Sequence, residues 1–155
     1  MKMIELKPNE ERVMVPAGKY ILGDPCYCIP YDSNPEDSDK SYWDTLGESC
    51  CWWGNSTIAT LTLQDKTWHV LGFGTAFGDG SYEDNQGYTY DVDAGLIGLV
   101  PYDLVKLIDP DYELMDCQRI VIFDRDTLCT NNGGVMTFGD IRVDTTENAY
   151  KGDWD

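Results

Sequence analysis

Residues 58–73 of the chain, IATLTLQDKTWHVLGF, carry the clearest secondary-structure signal in the sequence. The two arms, 58–63 and 67–73, are rich in β-branched and aromatic residues, which favour strands. The polar link between them, Gln64-Asp65-Lys66, has the length of a hairpin connection. The stretch therefore predicts an antiparallel β-hairpin and a chain built mainly of β-structure.

Strand and helix candidates outside this hairpin are short and are separated by Gly, Pro, Asn and Asp. The further strand candidates are 13–22 with a turn at Pro16-Ala17-Gly18, 95–100, 119–123, and 135–143 as one strand bent at Gly139 or as two. Helical patterns are limited to 102–108, started by Pro101, and 41–47, capped by Ser41 and ended by Gly47. The predicted fold class is mainly β with a minor α+β character: a β-sandwich or barrel carrying one or two short helices.

The chain shows no repeat, low-complexity run or Ser/Gly linker that would divide it. Residues 1–155 are therefore predicted to form a single acidic globular domain, which is long enough to bury a substantial core. Two polar stretches, the acidic loop 32–40 and the tail 145–155, are predicted to be flexible.

The charge balance excludes several classes of partner. The chain has 28 Asp and Glu against 11 Lys and Arg, for a formal charge of -17. Direct binding to nucleic acid needs clustered basic residues, which are scattered singly here, and anionic membranes are disfavoured for the same reason. No apolar run approaches the roughly 20 residues that span a bilayer. The N-terminal residues form no apolar signal region, which predicts a cytoplasmic protein.

The six cysteines are predicted to be reduced thiols, because no secretion signal is present. They are Cys26, Cys28, Cys50, Cys51, Cys117 and Cys129. Their spacings differ from those of the cysteine pairs that close a tetrahedral zinc site, so a zinc site is disfavoured. Whether the protein binds another metal ion stays open. The chain also lacks G-x-S-x-G, P-loop and G-x-G-x-x-G motifs, and His69 is its only histidine. No catalytic residue and no cofactor are therefore predicted, and a non-enzymatic role is favoured.

Three turns rich in Gly and Asp are the candidate ligand site. They are Gly23-Asp24-Pro25-Cys26-Tyr27, Gly78-Asp79-Gly80-Ser81-Tyr82 and Asp91-Val92-Asp93-Ala94-Gly95. The predicted ligand-binding residues in these turns are Asp24, Tyr27, Asp79, Ser81, Tyr82 and Asp93. Backbone N–H groups of such turns form anion-binding concavities, whereas converging carboxylates would suit a hard cation. The same residues are also ordinary turn formers, so a purely structural role stays open.

A second set of candidates combines loop acids with adjacent tryptophans. The predicted interface residues are Asp32, Glu36, Asp37, Asp39, Trp52 and Trp53. Exposed aromatic rings beside carboxylates suit a protein interface, and core packing is the competing explanation for the tryptophans.

Three blocks of sequence together carry a resemblance to a known group of proteins. They are residues 17–27 (AGKYILGDPCY), 72–82 (GFGTAFGDGSY) and 92–101 (VDAGLIGLVP). This pattern resembles that of small proteins from tailed bacteriophages and prophages, and the likeness extends more loosely over 119–144. The resemblance implies a viral accessory protein acting in the bacterial host cytoplasm, and it supplies no catalytic assignment.

Three hypotheses for function follow. The favoured one is an acidic, non-enzymatic phage accessory or anti-defence factor that occupies a host protein with a basic surface, through mimicry of nucleic-acid charge. The alternative is a protein that binds or sequesters a small anionic, nucleotide-like signal at the Gly/Asp turns. The third is a metal-dependent hydrolase that uses Asp24, Asp79, Asp91 and Asp93.

Overall fold

The computed structural model describes residues 1–7, 10–29, 40–50 and 57–146. In chain order the elements are β1 Lys2–Lys7, β2 Glu10–Val15, β3 Gly18–Gly23, α1 Tyr42–Cys50, β4 Ile58–Leu63, β5 Lys66–Gly74, β6 Gly80–Glu83, β7 Thr89–Val92, β8 Leu96–Pro101, α2 Tyr102–Ile108, β9 Arg119–Phe123, β10 Thr127–Asn132, β11 Val135–Phe138 and β12 Ile141–Asp144. The mainly β fold class with two short helices is confirmed.

The strands form two five-stranded antiparallel sheets and one separate hairpin. The first sheet has the order β1-β2-β10-β11-β12, and the second has the order β4-β5-β8-β3-β9. β6 and β7 pair with each other, and a bridge between Asp84 and Val143, together with hydrogen bonds between Asn85 and Arg142, attaches their hairpin to the edge of the first sheet. The two sheets pack face to face as a β-sandwich.

The hairpin predicted from 58–73 is confirmed as β4 and β5, which pair from Ile58↔Leu71 to Leu63↔Lys66. Its turn is two residues long, shorter than the three-residue link of the prediction. Gln64 and Asp65 both have positive φ, 53° and 59°. This combination is typical of a type I′ turn, whose twist matches that of the flanking strands.

The other predicted elements are present, some with their predicted boundaries and some with altered ones. The segment 13–22 bends at Pro16-Ala17, so that β2 joins the first sheet and β3 joins the second. The segment 135–143 is two strands, as one of its two alternatives proposed, and β9 and α2 have their predicted bounds. The predicted end of the first helix at Gly47 is wrong, because α1 continues to Cys50. Its predicted cap is confirmed, since the Ser41 hydroxyl accepts a hydrogen bond from the Asp44 amide at 3.0 Å.

Four strands, β1, β6, β7 and β10, have no counterpart in the predictions. Their sequences, such as KMIELK for β1 and TLCTNN for β10, contain charged or polar residues where a strand pattern needs apolar ones. For β10, part of the stability comes from a partner that is distant along the chain, as in the pairing of Thr127 with Val15. Local propensity does not report such pairing.

Two hydrophobic cores lie on opposite faces of the second sheet. The core between the sheets contains alternate apolar side chains of β3, β5 and β8 together with Tyr82 and Tyr90 of the small hairpin. The outer core lies between the second sheet and the helices, and Trp43 and Leu46 of α1 and Leu104 of α2 fill it. The second sheet is therefore buried on both faces over most of its area.

The start of the predicted flexible tail is packed against the sandwich. Thr145 is fully buried, accepts a hydrogen bond from the Ala76 amide at 2.9 Å and donates its hydroxyl proton to the Gly134 carbonyl. Residues 147–155 and the predicted loop residues 32–39 lie outside the described part of the chain.

Candidate functional site

Asp24 lies at the end of β3 and joins two of the three Gly/Asp turns. One carboxylate oxygen accepts a hydrogen bond from the Cys26 amide at 3.0 Å. The other accepts from the amides of Asp93 at 2.8 Å and Ala94 at 2.7 Å. The side chain is fully buried. Burial raises the pKa of Asp24, and the three backbone hydrogen bonds partly offset that rise. Asp24 thus holds the 93–95 loop against β3 with its own carboxylate.

Tyr27 and Asp93, two further predicted site residues, lie in contact. The Tyr27 hydroxyl donates a hydrogen bond to the Asp93 carboxylate. Burial, followed by the hydrogen bond and charge of Asp93, raises the pKa of the Tyr27 hydroxyl well above its usual range. The phenol is therefore a neutral donor at physiological pH. The pair forms an exposed rim above the buried Asp24.

The turn that contains Asp79 lies beside the same loop. The Thr75 amide donates to the Gly95 carbonyl at 3.0 Å, and a Cβ placed on Gly95 would lie 3.9 Å from the Cα of Gly78. The structure thus brings all three Gly/Asp turns together at one end of the sandwich. Asp79 itself is exposed.

Ser81 and Tyr82 are both buried and engaged within the small hairpin. The Ser81 hydroxyl donates to the carboxylate of Asp91, its cross-strand neighbour. The Tyr82 ring is part of the core between the sheets, and its hydroxyl donates to the Gly78 carbonyl at 2.9 Å. Of the six predicted ligand-binding residues, only Asp79 and the Tyr27–Asp93 rim therefore present polar atoms toward solvent.

Three cysteines lie near these turns, and their thiols are poor nucleophiles. Burial raises the pKa of Cys28 to about 12, and Gln118 donates to its sulfur at 3.0 Å. Burial, followed by the charge of Asp24, raises the pKa of Cys26 as well. Burial also raises the pKa of Cys117. A nucleophilic or metal-binding cysteine needs the thiolate, which these environments oppose.

The described residues contain no group of three or more His, Cys, Asp or Glu side chains placed to hold a metal ion. Four of the cysteines, Cys26, Cys28, Cys117 and Cys129, are free thiols, as the sequence predicts.

Asp84 is a second buried carboxylate and is not among the predicted site residues. It accepts hydrogen bonds from the Tyr90 hydroxyl at 2.6 Å, the Arg119 guanidinium at 3.0 Å, and the amides of Gln86 and Tyr88 at 2.8 and 3.0 Å. Burial alone would raise the pKa of Asp84, but these hydrogen bonds outweigh it and hold the pKa below its usual range. A sequence signal exists, because Asp followed by Gly87 three residues later is typical of a turn.

The predicted interface residues Asp32, Glu36, Asp37, Asp39, Trp52 and Trp53 lie outside the described part of the chain. A different surface stands out among the described residues. It is the outer side of β9, an edge strand of the second sheet, where Ile120 is 37% exposed and Ile122 is 72% exposed. The signal was available in the sequence, because Ile120 to Phe123 form an unbroken apolar run in an acidic chain.

An open groove of about 940 Å³ runs beside β9. Its walls are β9 with the following turn 124–126 on one side and the β11–β12 hairpin on the other. Arg119 pairs with Asp84 at 3.0 Å, and Arg125 pairs with Asp124 at 3.5 Å. Asp126 and Asp140 add further carboxylates to the lining, so the groove is apolar at its strand and acidic at its rim.

The chain matches no protein-family model, no curated protein and no solved structure. Among the described residues, no helix is long and apolar enough to cross a membrane. Any assignment of function therefore rests on the chemistry of the surfaces described above.

Proposed function

We propose that this protein is an acidic, non-enzymatic binding protein that occupies a partner protein with a basic surface, and that β9 receives an extended segment of that partner. The observation that carries the proposal is the 72% exposure of Ile122 on an edge strand bordered by carboxylates. The resemblance to phage proteins favours a phage accessory or anti-defence factor acting on a host protein in bacterial cytoplasm.

The backbone of β9 supports strand addition. An edge strand presents unpaired N–H and C=O groups, which an extended segment of another chain can pair with. Within the described residues, α1 packs on β4 and the small hairpin contacts β12, while β1 is another edge strand that pairs on one side only. In the part of the chain that the structure describes, β9 pairs only on its β3 side. Exposed Ile120 and Ile122 would supply apolar contacts for alternate side chains of the added strand.

Charge selects the class of partner. Two copies of a chain with a formal charge of -17 repel each other, which disfavours pairing of β9 with itself. A segment rich in Lys and Arg would instead be attracted to the whole surface and to the acidic rim of the groove. A basic surface of this kind on a host protein would otherwise bind the phosphates of a nucleic acid. The acidic protein would then compete with the nucleic acid by mimicking its charge.

The alternative function, binding of a small anionic signal at the Gly/Asp turns, has less support. Asp24, Ser81 and Tyr82 already bond to groups of the chain itself. A hydrolase that uses Asp24, Asp79, Asp91 and Asp93 is disfavoured for the same reason, because Asp24 gives its oxygens to three amides.

The proposal is tested by retention of bacterial lysate proteins on the immobilised protein at low and high salt, with bound proteins identified by mass spectrometry. Ile122→Lys places a repulsive charge on the β9 edge. Phe77→Lys is the matched control, because Phe77 is 67% exposed and lies outside β9. We expect a stoichiometric partner that the wild type and the control retain at low salt and that Ile122→Lys loses.

Equal retention by Ile122→Lys and Phe77→Lys would remove β9 from the interface. Failure of the wild type to retain any protein at low salt would contradict the binding function itself. Sedimentation velocity of the wild type tests whether a second copy of the chain occupies β9. A concentration-dependent dimer that Ile122→Lys abolishes would assign β9 to self-association instead.

A further inference from the structure

The second sheet contains a gap at the end of its central strand. β8 ends at Pro101, opposite Tyr20 of β3, and pairs with β5 only from Leu71 onward. The first residues of β5, beginning at Lys66, extend past this point and pair with β4 alone. Since neighbouring strands lie about 4.8 Å apart, a missing middle strand leaves a gap of roughly 10 Å.

This gap is a cavity of about 310 Å³, which we call the strand-end slot. Its lining consists of residues 16–20, residues 66–69, Met1, Pro101 and Asp103. The volume is at the lower end of the range for small-molecule sites. The slot is distinct from the Gly/Asp turns and from the β9 groove, with which it shares no lining residue.

The charge of the slot is opposite to that of the protein. Lys19 and Lys66 line it together with the chain's only histidine, His69, and with the carboxylate of Asp103. A second carboxylate, Asp126, accepts a hydrogen bond from the lining Ala17 amide at 3.2 Å. The amino group of Met1 also lies close enough to His69 to lower the pKa of the imidazole, in addition to the larger effect of burial. A chain with 28 acids and 11 bases thus concentrates basic groups at one small cavity.

The two lysines are held by aromatic rings and form no ion pair with a described residue. The Lys19 ammonium lies 3.8 Å from the centre of the Tyr102 ring, and the Lys66 ammonium lies 4.0 Å from the centre of the Trp68 ring. A ring face orients an ammonium group but, unlike a carboxylate, leaves its full charge in place. Both charges therefore stay available to an anion in the slot.

We propose that the strand-end slot binds a small doubly charged anion, a phosphomonoester or a dicarboxylate, with Lys19 and Lys66 as its charged contacts and His69 beside it. Charge-assisted hydrogen bonds from ammonium to phosphate or carboxylate are the strong ones in proteins. The cavity volume of about 310 Å³ accommodates one such group with a small organic remainder.

His69 makes a direct test possible, because a single histidine gives unique imidazole proton signals in NMR spectra. Inorganic phosphate, glycerol phosphate and malonate are titrated into the protein at constant ionic strength, with chloride as the reference anion. We expect saturable shifts of the His69 signals with at least one of the three dianions and none with chloride. The dianion that binds most tightly shows whether the slot prefers a phosphate group or a dicarboxylate.

The lysines are then replaced as Lys19→Gln and Lys66→Gln, singly and together. Each substitution is expected to weaken binding about tenfold or more, the usual worth of a charge-assisted hydrogen bond. Arg125→Gln with Arg142→Gln removes two exposed positive charges outside the slot and is expected to leave affinity nearly unchanged. Near-ultraviolet circular dichroism confirms that every variant is folded.

Two results would overturn the proposal. One is the absence of saturable His69 shifts with all three dianions at millimolar concentration. The other is equal affinity in the double lysine variant and the double arginine control, which would reduce any binding to a non-specific effect of charge.

Discussion

At the scale of single residues, Asp84 and Asp24 show how far the surroundings of a carboxylate decide its part in the fold. Both are buried, but Asp84 faces a guanidinium and a phenol whereas Asp24 faces three backbone amides and the Cys26 thiol. Their pKa values are accordingly shifted in opposite directions, downward for Asp84 and upward for Asp24.

Asp84→Asn is expected to destabilise the protein by about 3 kcal/mol at neutral pH, because it leaves the Arg119 charge without its partner. A carboxyl whose pKa is depressed in the folded state stabilises the fold above its unfolded pKa of about 3.9 and loses that effect as pH falls through the folded value. The difference between wild type and variant in urea denaturation should therefore shrink below about pH 4.

The matched control for this change is Glu83→Gln, at an exposed neighbouring position. Its free energy of unfolding should stay close to that of the wild type at both pH values. A pH-independent difference between Asp84→Asn and wild type would show that the ion pair is not its cause.

Asp24→Ala is expected to cost about 2–3 kcal/mol, since three amides lose their acceptor in a buried position. Asp79→Ala, in the adjacent Gly/Asp turn but exposed, should change stability by less than about 0.5 kcal/mol. Thermal denaturation of the two variants compares them directly. Similar losses in both would contradict the structural role assigned to Asp24.

The sequence predicted these turns, but it did not predict which of their acidic side chains would be buried and which exposed. Asp24, Asp79 and Asp93 stand in similar Gly-rich contexts, yet one is buried and the other two are exposed. The difference arises because the amides of Asp93 and Ala94, far along the chain, meet Asp24 in the fold. Residue type and local spacing do not reveal such a contact.

At the scale of elements, the close approach of β8 to β5 depends on Gly98. A Cβ built on this residue would lie 1.7 Å from the carbonyl oxygen of Leu71. A strand is predicted at 95–100, and this contact is the reason that a glycine stands within it.

Gly98→Ala is therefore expected to destabilise the protein by at least about 3 kcal/mol, because backbone atoms would have to separate in a central strand pair. Gly74→Ala is the control, since the space around Gly74 is open within 4 Å. Chemical denaturation measures both. A Gly98→Ala protein as stable as the Gly74→Ala protein would contradict the close strand contact.

The elements that the sequence predicted correctly are those with local signals. The β4–β5 hairpin has two apolar arms and a polar turn, and α2 has a proline before it and a continuous apolar side. β10, with the sequence TLCTNN, lacks such a signal and becomes a strand because β2 and β11 pair with it on both sides. Strand propensity describes a residue without its cross-strand neighbours. The stability of β10 comes from contacts with those neighbours.

At the scale of the whole molecule, the charge of -17 opposes the compact state. The melting temperature should rise when sodium chloride is increased from about 10 mM to about 200 mM, because the screening length falls from about 30 Å to below about 10 Å. Asp79→Asn, Glu83→Gln and Asp140→Asn combined remove three exposed charges and should reduce this rise. A melting temperature independent of salt in the wild type would contradict self-repulsion as a significant cost.

The pairing of β2 with β10 joins segments that are far apart in the sequence, since Val15 lies opposite Thr127. During synthesis on a ribosome, the strands that complete the first sheet are therefore among the last of the described residues to be made. Until they emerge, the inner face of the second sheet, with Leu71 and Phe73, has no sheet to cover it. The nascent protein must protect this apolar surface between the synthesis of β5 and that of β10, and a chain stopped before β10 would be a substrate for chaperones or proteases.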